Sequence, residues 1–245
     1  MAGVASCKKD NGAPPDMGYN YFPDQPGNYV IYNVDSFYYD DFYDPTTIDT
    51  FKFQLKEKIE SVFMDNQGRP TLRLERYVRY YNESIPYNSL PWILRDVWSA
   101  NKNMRVAEKV EENVRYVRLS FPVKETQTWD GNAQNTEGEM NYSYRFFDVS
   151  RTIGNILFDS VLQVDQQDIN NLIEKRFYIE KYARNVGLVQ KHVIDIQSQP
   201  NPDWSDPVAF PFGNDSLSLF YNKPILSRVD SGHQYIMTVI SFGTE

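Results

Sequence analysis

The chain reads as mainly β, a β-rich α+β fold at most, built as a strongly curved antiparallel sheet or incomplete barrel with meander connectivity. Three observations predict this. Aromatic residues make up 15% of the 245 residues, 18 of them tyrosine, and such side chains suit half-buried pleated surfaces. Apolar residues recur at every second position in successive runs, the period of a strand with one face covered. Short Asn- and Gly-containing turns separate those runs, so strands adjacent in sequence pair as neighbours.

Residues 1–27 read as a tether. Pro14, Pro15, Pro23 and Pro26 with Gly12, Gly18 and Gly27 oppose regular structure. Order is expected to begin at Asn28, where Asn28–Val34 is rich in β-branched and aromatic residues. Residues 28–245 are expected to form a single β-rich domain.

Phe51, Phe53, Leu55, Ile59 and Phe63 alternate with Lys52, Gln54, Lys56, Lys58 and Glu60, which fits a strand better than a helix. Asp65–Pro70 turns the chain. Leu72, Leu74, Val78 and Tyr80 then repeat the inward set, so the two runs predict a hairpin. Strands are expected over 92–100, 104–111 and 114–123, joined at Asn101–Asn103 and Glu112–Asn113. Lys124–Tyr142 reads as the longest internal loop within the domain. Strands follow over 142–149, 157–165 and 176–182, with 168–173 a helical turn or a hairpin. Pro200–Gly213 reads as irregular. Tyr235–Phe242 is apolar on both faces, so the last strand belongs inside the sheet, returning beside the early strands.

A net charge of −8 argues against nucleic acid as a partner, since a phosphate backbone is bound through Lys and Arg. The sole cysteine, Cys7, excludes an internal disulfide framework and a cysteine-rich zinc site. It follows Val4-Ala5-Ser6 and precedes the polar run Lys8–Pro15. This pattern resembles a bacterial lipobox, which implies Cys7 as a lipid attachment point and the membrane as a partner through N-terminal acyl chains.

Two further stretches carry a family resemblance. Tyr182-Ala183-Arg184-Asn185-Val186-Gly187-Leu188-Val189 is similar to a turn joining late strands in curved-sheet envelope proteins. Trp129-Asp130-Gly131-Asn132, following Leu119–Val123, resembles a segment of the β-rich cell-envelope lipoproteins of Bacteroides-type bacteria. The resemblance covers residues 28–197 and implies a fold and an outer-membrane location, periplasmic or surface-facing, without a reaction.

No catalytic residue is assigned. His192 sits within a Val-Ile strand and His233 in the turn Asp230-Ser231-Gly232, both read as structural. A phosphate loop, a Gly-x-Ser-x-Gly elbow and a His-Glu-x-x-His helix are absent from the sequence. Asp130, Asn132 and Glu137 lie in an oxygen-rich loop and are weak candidates for calcium. The spacing departs from an EF-hand, and turn chemistry accounts for these residues. Trp92 and Trp98 share one strand parity and read as core. Trp129 and Trp204, in polar or Pro-rich loops, are the candidate ligand-binding residues.

The expectation is a lipid-anchored envelope protein without enzymatic activity or cofactor, binding an apolar ligand or an envelope protein through its curved sheet. A surface glycan-binding module using Trp129 and Trp204 is the alternative. A hydrolase using two carboxylates ranks behind both, because it needs two acids facing one cleft with opposed pKa shifts.

Overall fold

The computed structural model describes residues 15–40, 42, 46–198 and 220–245. Its strands are β1 (Asn28–Asp40), β2 (Thr47–Met64), β3 (Pro70–Tyr80), β4 (Ile93–Lys102), β5 (Val106–Glu111) and β6 (Val114–Ser120). They continue as β7 (Thr128–Asp130), β8 (Asn141–Ile153), β9 (Ile156–Asn170), β10 (Glu174–Ala183), β11 (Gly187–Gln197) and β12 (Ser231–Thr244). All belong to one antiparallel sheet in the order β6-β5-β4-β3-β2-β1-β12-β11-β10-β9-β8-β7. This is the curved, meandering sheet the alternation predicts, rolled into a nearly closed barrel.

The first six strands step away from β1 in one direction, and the last six return to it. β12 therefore lies between β1 and β11, with Val34 opposite Met237 and Val193 opposite Tyr235, so the final strand is interior to the sheet as expected. β6 and β7 form the seam. A backbone bond, Val117 N to Gly131 O at 2.8 Å, ties β6 to the residue that follows β7. Side chains take the place of further ladder bonds there. Trp129 Nε1 donates to Val117 O at 3.0 Å, and the Tyr144 hydroxyl donates to Ser120 O at 2.6 Å while accepting from Ser120 N.

The β2–β3 hairpin forms where the sequence places it. Asp65 accepts the backbone amides of Gln67 and Arg69, each at 2.9 Å, fixing the turn. Phe53, Leu55, Ile59, Leu72, Leu74 and Val78 are buried. Phe51 and Tyr80 have the inward parity but sit at the barrel's end, where nothing covers them sufficiently, and are more than half exposed. A register shift between Ile59 and Ser61 inverts the parity beyond it, which turns Phe63 outward. Residues 168–173 resolve as the β9–β10 hairpin, whose turn is held by Asn171 Oδ1 accepting the amides of Ile173 and Glu174. Most of 124–142 is loop, the exceptions being β7 and the first two residues of β8.

Residues 15–27 differ most from the sequence reading. They cap one end of the barrel instead of trailing from it. Tyr19–Tyr21 forms a 3-10 turn, and Tyr21 is fully buried. Lys102 Nζ donates to Phe22 O at 2.7 Å and pairs with Asp24 at 2.8 Å, while Arg184 holds Asp16 at 2.6 Å. Proline and glycine exclude helix and strand from this stretch, but they do not exclude packing.

Two large apolar clusters fill the wall around this end. One gathers Tyr32, Val34, Leu55, Val161, Val189 and Val239; the other gathers Tyr21, Leu119, Tyr144, Leu162, Val164 and Tyr182. β12 crosses β11 very closely at Gly232, whose φ is +115° and where a Cβ would stand 2.1 Å from Asp195 O. Gly232→Ala is accordingly expected to destabilise the fold by about 1–3 kcal/mol, through left-handed strain and displaced ladder bonds. A lower urea midpoint at unchanged slope would show it; an unchanged midpoint would mean the strands separate there at no cost.

Candidate ligand site in the barrel lumen

The inner face of the sheet carries a belt of eight charged side chains. Register builds it pair by pair. Glu57 on β2 stands opposite Arg76 on β3, which stands opposite Asp96 on β4. Lys109 and Glu111 come from β5 and Arg118 from β6, while Glu180 on β10 stands opposite Lys191 on β11. The contacts run across the lumen as well as along the sheet. Lys109 Nζ meets Glu57 at 2.7 Å, and Arg76 pairs with Asp96 at 3.0 Å and Glu57 at 3.5 Å. Arg118 meets Glu111 at 2.8 Å and Glu180 at 3.5 Å, and Lys191 meets Glu180 at 3.3 Å. Four cations face four carboxylates, so the belt is neutral as a whole.

Its electrostatics follow from that pairing. Burial works to raise the Glu111 carboxyl, but Arg118, Lys191 and Lys109 outweigh it and hold it well below the usual carboxylate range. Glu180 is likewise lowered: burial opposes ionisation, and Arg118 and Lys191 overcome it. The Tyr182 hydroxyl donates to Glu180 at 2.6 Å and is pushed well up by its burial and by that carboxylate.

Beyond the belt, away from residues 15–27, the lumen opens into two joined cavities of about 330 Å³ and 400 Å³ that share Trp98, Glu111, Lys191, Val193 and His233. Tyr235 and Met237 line the first; Tyr116, Arg118, Gln166 and Tyr178 line the second. Toward the capped end the free space shrinks to about 70 Å³ between Phe22, Tyr32, Leu74 and Tyr182. Trp98 is fixed in place by the Arg76 guanidinium 3.5 Å from its ring centroid and by its Nε1 donating to Glu112 at 3.0 Å. Tyr178 is fixed by its hydroxyl donating to Asp195 at 2.6 Å. A cavity of this size with rigid aromatic walls and a few convergent polar groups is the usual form of a small-molecule site.

Of the residues singled out in the sequence, Cys7 and Trp204 lie outside the described residues. Trp129 belongs to the seam. Its ring packs 4.6 Å from that of Tyr144, and its N–H is bound by Val117. Asp130 acts as a turn acceptor, its Oδ1 taking the amides of Asn132 at 2.9 Å and Met140 at 3.0 Å. Asn132 Nδ2 donates to Gly138 O at 2.6 Å, and Glu137 faces the Tyr116 hydroxyl. Among the described residues no three His, Cys, Asp or Glu side chains converge to hold a metal ion. His192 packs edge-on against Phe177, and burial lowers its pKa. Trp98, read as core, does pack against the buried cluster of Ile59, Leu72, Leu74 and Ala100, and it also walls the lumen. His233 stands at the same opening.

The belt escaped the sequence reading, though a signal for it exists. Arg76 falls between the inward Leu74 and Val78, and Glu57 between Leu55 and Ile59. Glu180 falls between Tyr178 and Tyr182. A charge at an inward position of a strand is a break in the alternation, and several such breaks on paired strands mark a polar interior.

Comparison with models of protein families, with curated proteins and with solved structures finds no match to this chain.

Proposed function

We propose that this is a lipid-anchored cell-envelope protein without enzymatic activity, moored through Cys7, that captures a small ligand in the open half of its barrel. The observation that carries the reading is the pair of joined, aromatic-walled cavities above a charge-balanced belt. The direction of the chain supports it: residues 15–27 enter at the capped end, so a tether attached there leaves the opening pointing away from the bilayer. Two acyl signals are enough for stable attachment. The two belt carboxylates whose pKa shifts, Glu111 and Glu180, are both shifted downward, so neither serves as a proton donor near neutrality. The ligand is not purely apolar, because the floor of the cavity is ionic. It has an apolar face for Trp98, Tyr235 and Met237 and polar groups at its edge.

Mass spectrometry of the protein isolated from its native membranes is expected to show an N-terminus at Cys7 carrying acyl chains; an unmodified Cys7 would overturn the anchoring. For the cavity, a neutral fluorescent probe such as N-phenyl-1-naphthylamine is expected to bind the wild-type protein. Val193→Trp, which fills the space shared by both cavities, is expected to weaken that binding at least tenfold. Equal binding by a folded Val193→Trp protein would place the probe elsewhere.

A further inference from the structure

We propose that this protein pairs with a second copy of itself, edge to edge, along the first half of β4. β5 covers only the second half of that strand, from Ser99 opposite Val110 to Lys102 opposite Ala107. Before Ser99, the stretch Ile93–Trp98 runs along β3 on one side. Among the described residues no backbone pairs with it on the other. Ile93, Leu94 and Val97 stand along this free edge, each more than two-fifths exposed. A free strand edge is a template for another strand. The approach to it is open as well. The chain leading into Ile93 leaves the strand line, because Trp92 stacks against Arg79 on the outer face of β3, with the guanidinium 4.2 Å from its ring centroid.

The pattern of faces along the edge identifies its occupant. Register against β3 puts Ile93, Asp96 and Trp98 on the inner face, opposite Val78, Arg76 and Leu74. Leu94 and Val97 take the outer face, opposite Tyr77 and Glu75. A bulge between Leu94 and Asp96 turns the extra residue, Arg95, inward too, its guanidinium 5.7 Å from the ring centroid of the buried Phe53. The six faces therefore read in-out-in-in-out-in, the same in both directions. Opposed residues of an antiparallel pair share a face. Only a two-fold axis between Arg95 and Asp96 pairs all six residues and satisfies this at each of them; a slip by one residue breaks it. A bulge and inward charges ordinarily protect an edge from chance partners. Across this axis they match instead. Arg95 of each copy stands opposite Asp96 of the other, and the exposed Leu94 stands opposite Val97. Within one chain Arg95 already lies 3.3 Å from Asp96, so the pairing gathers two arginines and two aspartates about the axis. A cavity of about 440 Å³ between Phe63, Val97 and Val110 lies beside the same edge and receives the second copy's Leu94. The contact is isologous and closes at two copies.

Sedimentation velocity of the folded protein over a concentration series tests this. A short edge contact falls at the small end of the interface range, so a dimer with Kd on the order of 10 µM is expected. Two variants share Val97→Lys and differ only at position 94. With Leu94→Lys, lysine faces lysine twice across the axis, and association is expected to weaken at least tenfold. With Leu94→Glu, glutamate faces lysine twice, and association is expected to be at least tenfold tighter than in the first variant. Both positions are exposed, so both variants are expected to fold, with the circular dichroism of the wild-type protein. A wild-type protein that stays monomeric well above the expected Kd would overturn the inference. Equal association by the two variants would overturn it as well, since the copies would then meet elsewhere. Neither position lines the joined cavities of the lumen, so this result is independent of the ligand reading.

Discussion

Glu111→Gln is expected to lower folding stability by about 3–5 kcal/mol, the usual consequence of removing one partner from a buried ion network. Glu111 is the carboxylate on which the belt converges: Arg118 lies at 2.8 Å, Lys191 at 3.9 Å and Lys109 at 4.0 Å. Without it Arg118, one of the least exposed charges in the protein, keeps only Glu180, at 3.5 Å. Four cations would then face three carboxylates inside the barrel. The urea midpoint should fall with little change in slope. Loss below about 1 kcal/mol would mean that water already screens the belt as it screens surface pairs. The double replacement Glu111→Leu with Arg118→Met should recover much of the loss, because it removes the unpaired charge along with its partner.

The same network sets an acid limit. Glu111 and Glu180 both have folded-state pKa values below the unfolded value of 4.5. A depressed carboxylate stabilises the fold above its unfolded pKa, and that contribution is lost as pH falls toward the folded value. Asp148, held at about 2 chiefly by its hydrogen bond from Arg184, adds to the trend between its ordinary 3.8 and about 2. Stability should accordingly be flat near neutrality and decline below about pH 4.5, with a shallower decline in Glu111→Gln. Equal acid slopes in the two proteins would remove Glu111 as a cause.

Alternation made the wall of the barrel legible, since each strand reports its own two faces and short turns force sequence neighbours to pair. It also placed β12 inside the sheet, between β1 and β11, although the strand is not covered on both faces as its apolar residues suggested: Ile240 and Phe242 remain exposed. The lumen was harder to read for a physical reason. Glu57, Arg76, Lys109, Glu111, Arg118, Glu180 and Lys191 are tolerated inside only because each meets an opposite charge from another strand. That compensation depends on register and on barrel closure, which no single strand reveals. Trp129 shows the converse. Its polar surroundings in sequence suggested exposure to a ligand, whereas closure brings Val117 and Tyr144 against it. Trp98 read as core by parity, and parity was right about the face but silent on whether that face was filled.

Tyr21→Ala is the second large loss expected, about 3–5 kcal/mol, as for other fully buried aromatic truncations. Tyr21 has no exposed surface and joins the short 3-10 turn to three later elements. Its hydroxyl donates to Asp148 Oδ1 at 2.9 Å, accepts from Asp148 N at 3.1 Å and lies 2.7 Å from Ser160 Oγ, while the Arg184 guanidinium sits 4.7 Å from its ring centroid. Asp148 itself is held at a φ of +54°, a conformation unfavourable for aspartate without such anchors. Truncation to alanine therefore empties a packed site and also strands a backbone amide. Tyr21→Phe removes only the hydroxyl and should cost about 1–3 kcal/mol, the penalty of leaving that amide unsatisfied. Because the capped end and the open end are separated by the charge belt, both variants should bind N-phenyl-1-naphthylamine within about twofold of wild type while folded. A Tyr21→Phe protein as unstable as Tyr21→Ala would assign the whole effect to the hydroxyl network. An affinity change at the opening would mean that the cap and the cavity move as one unit.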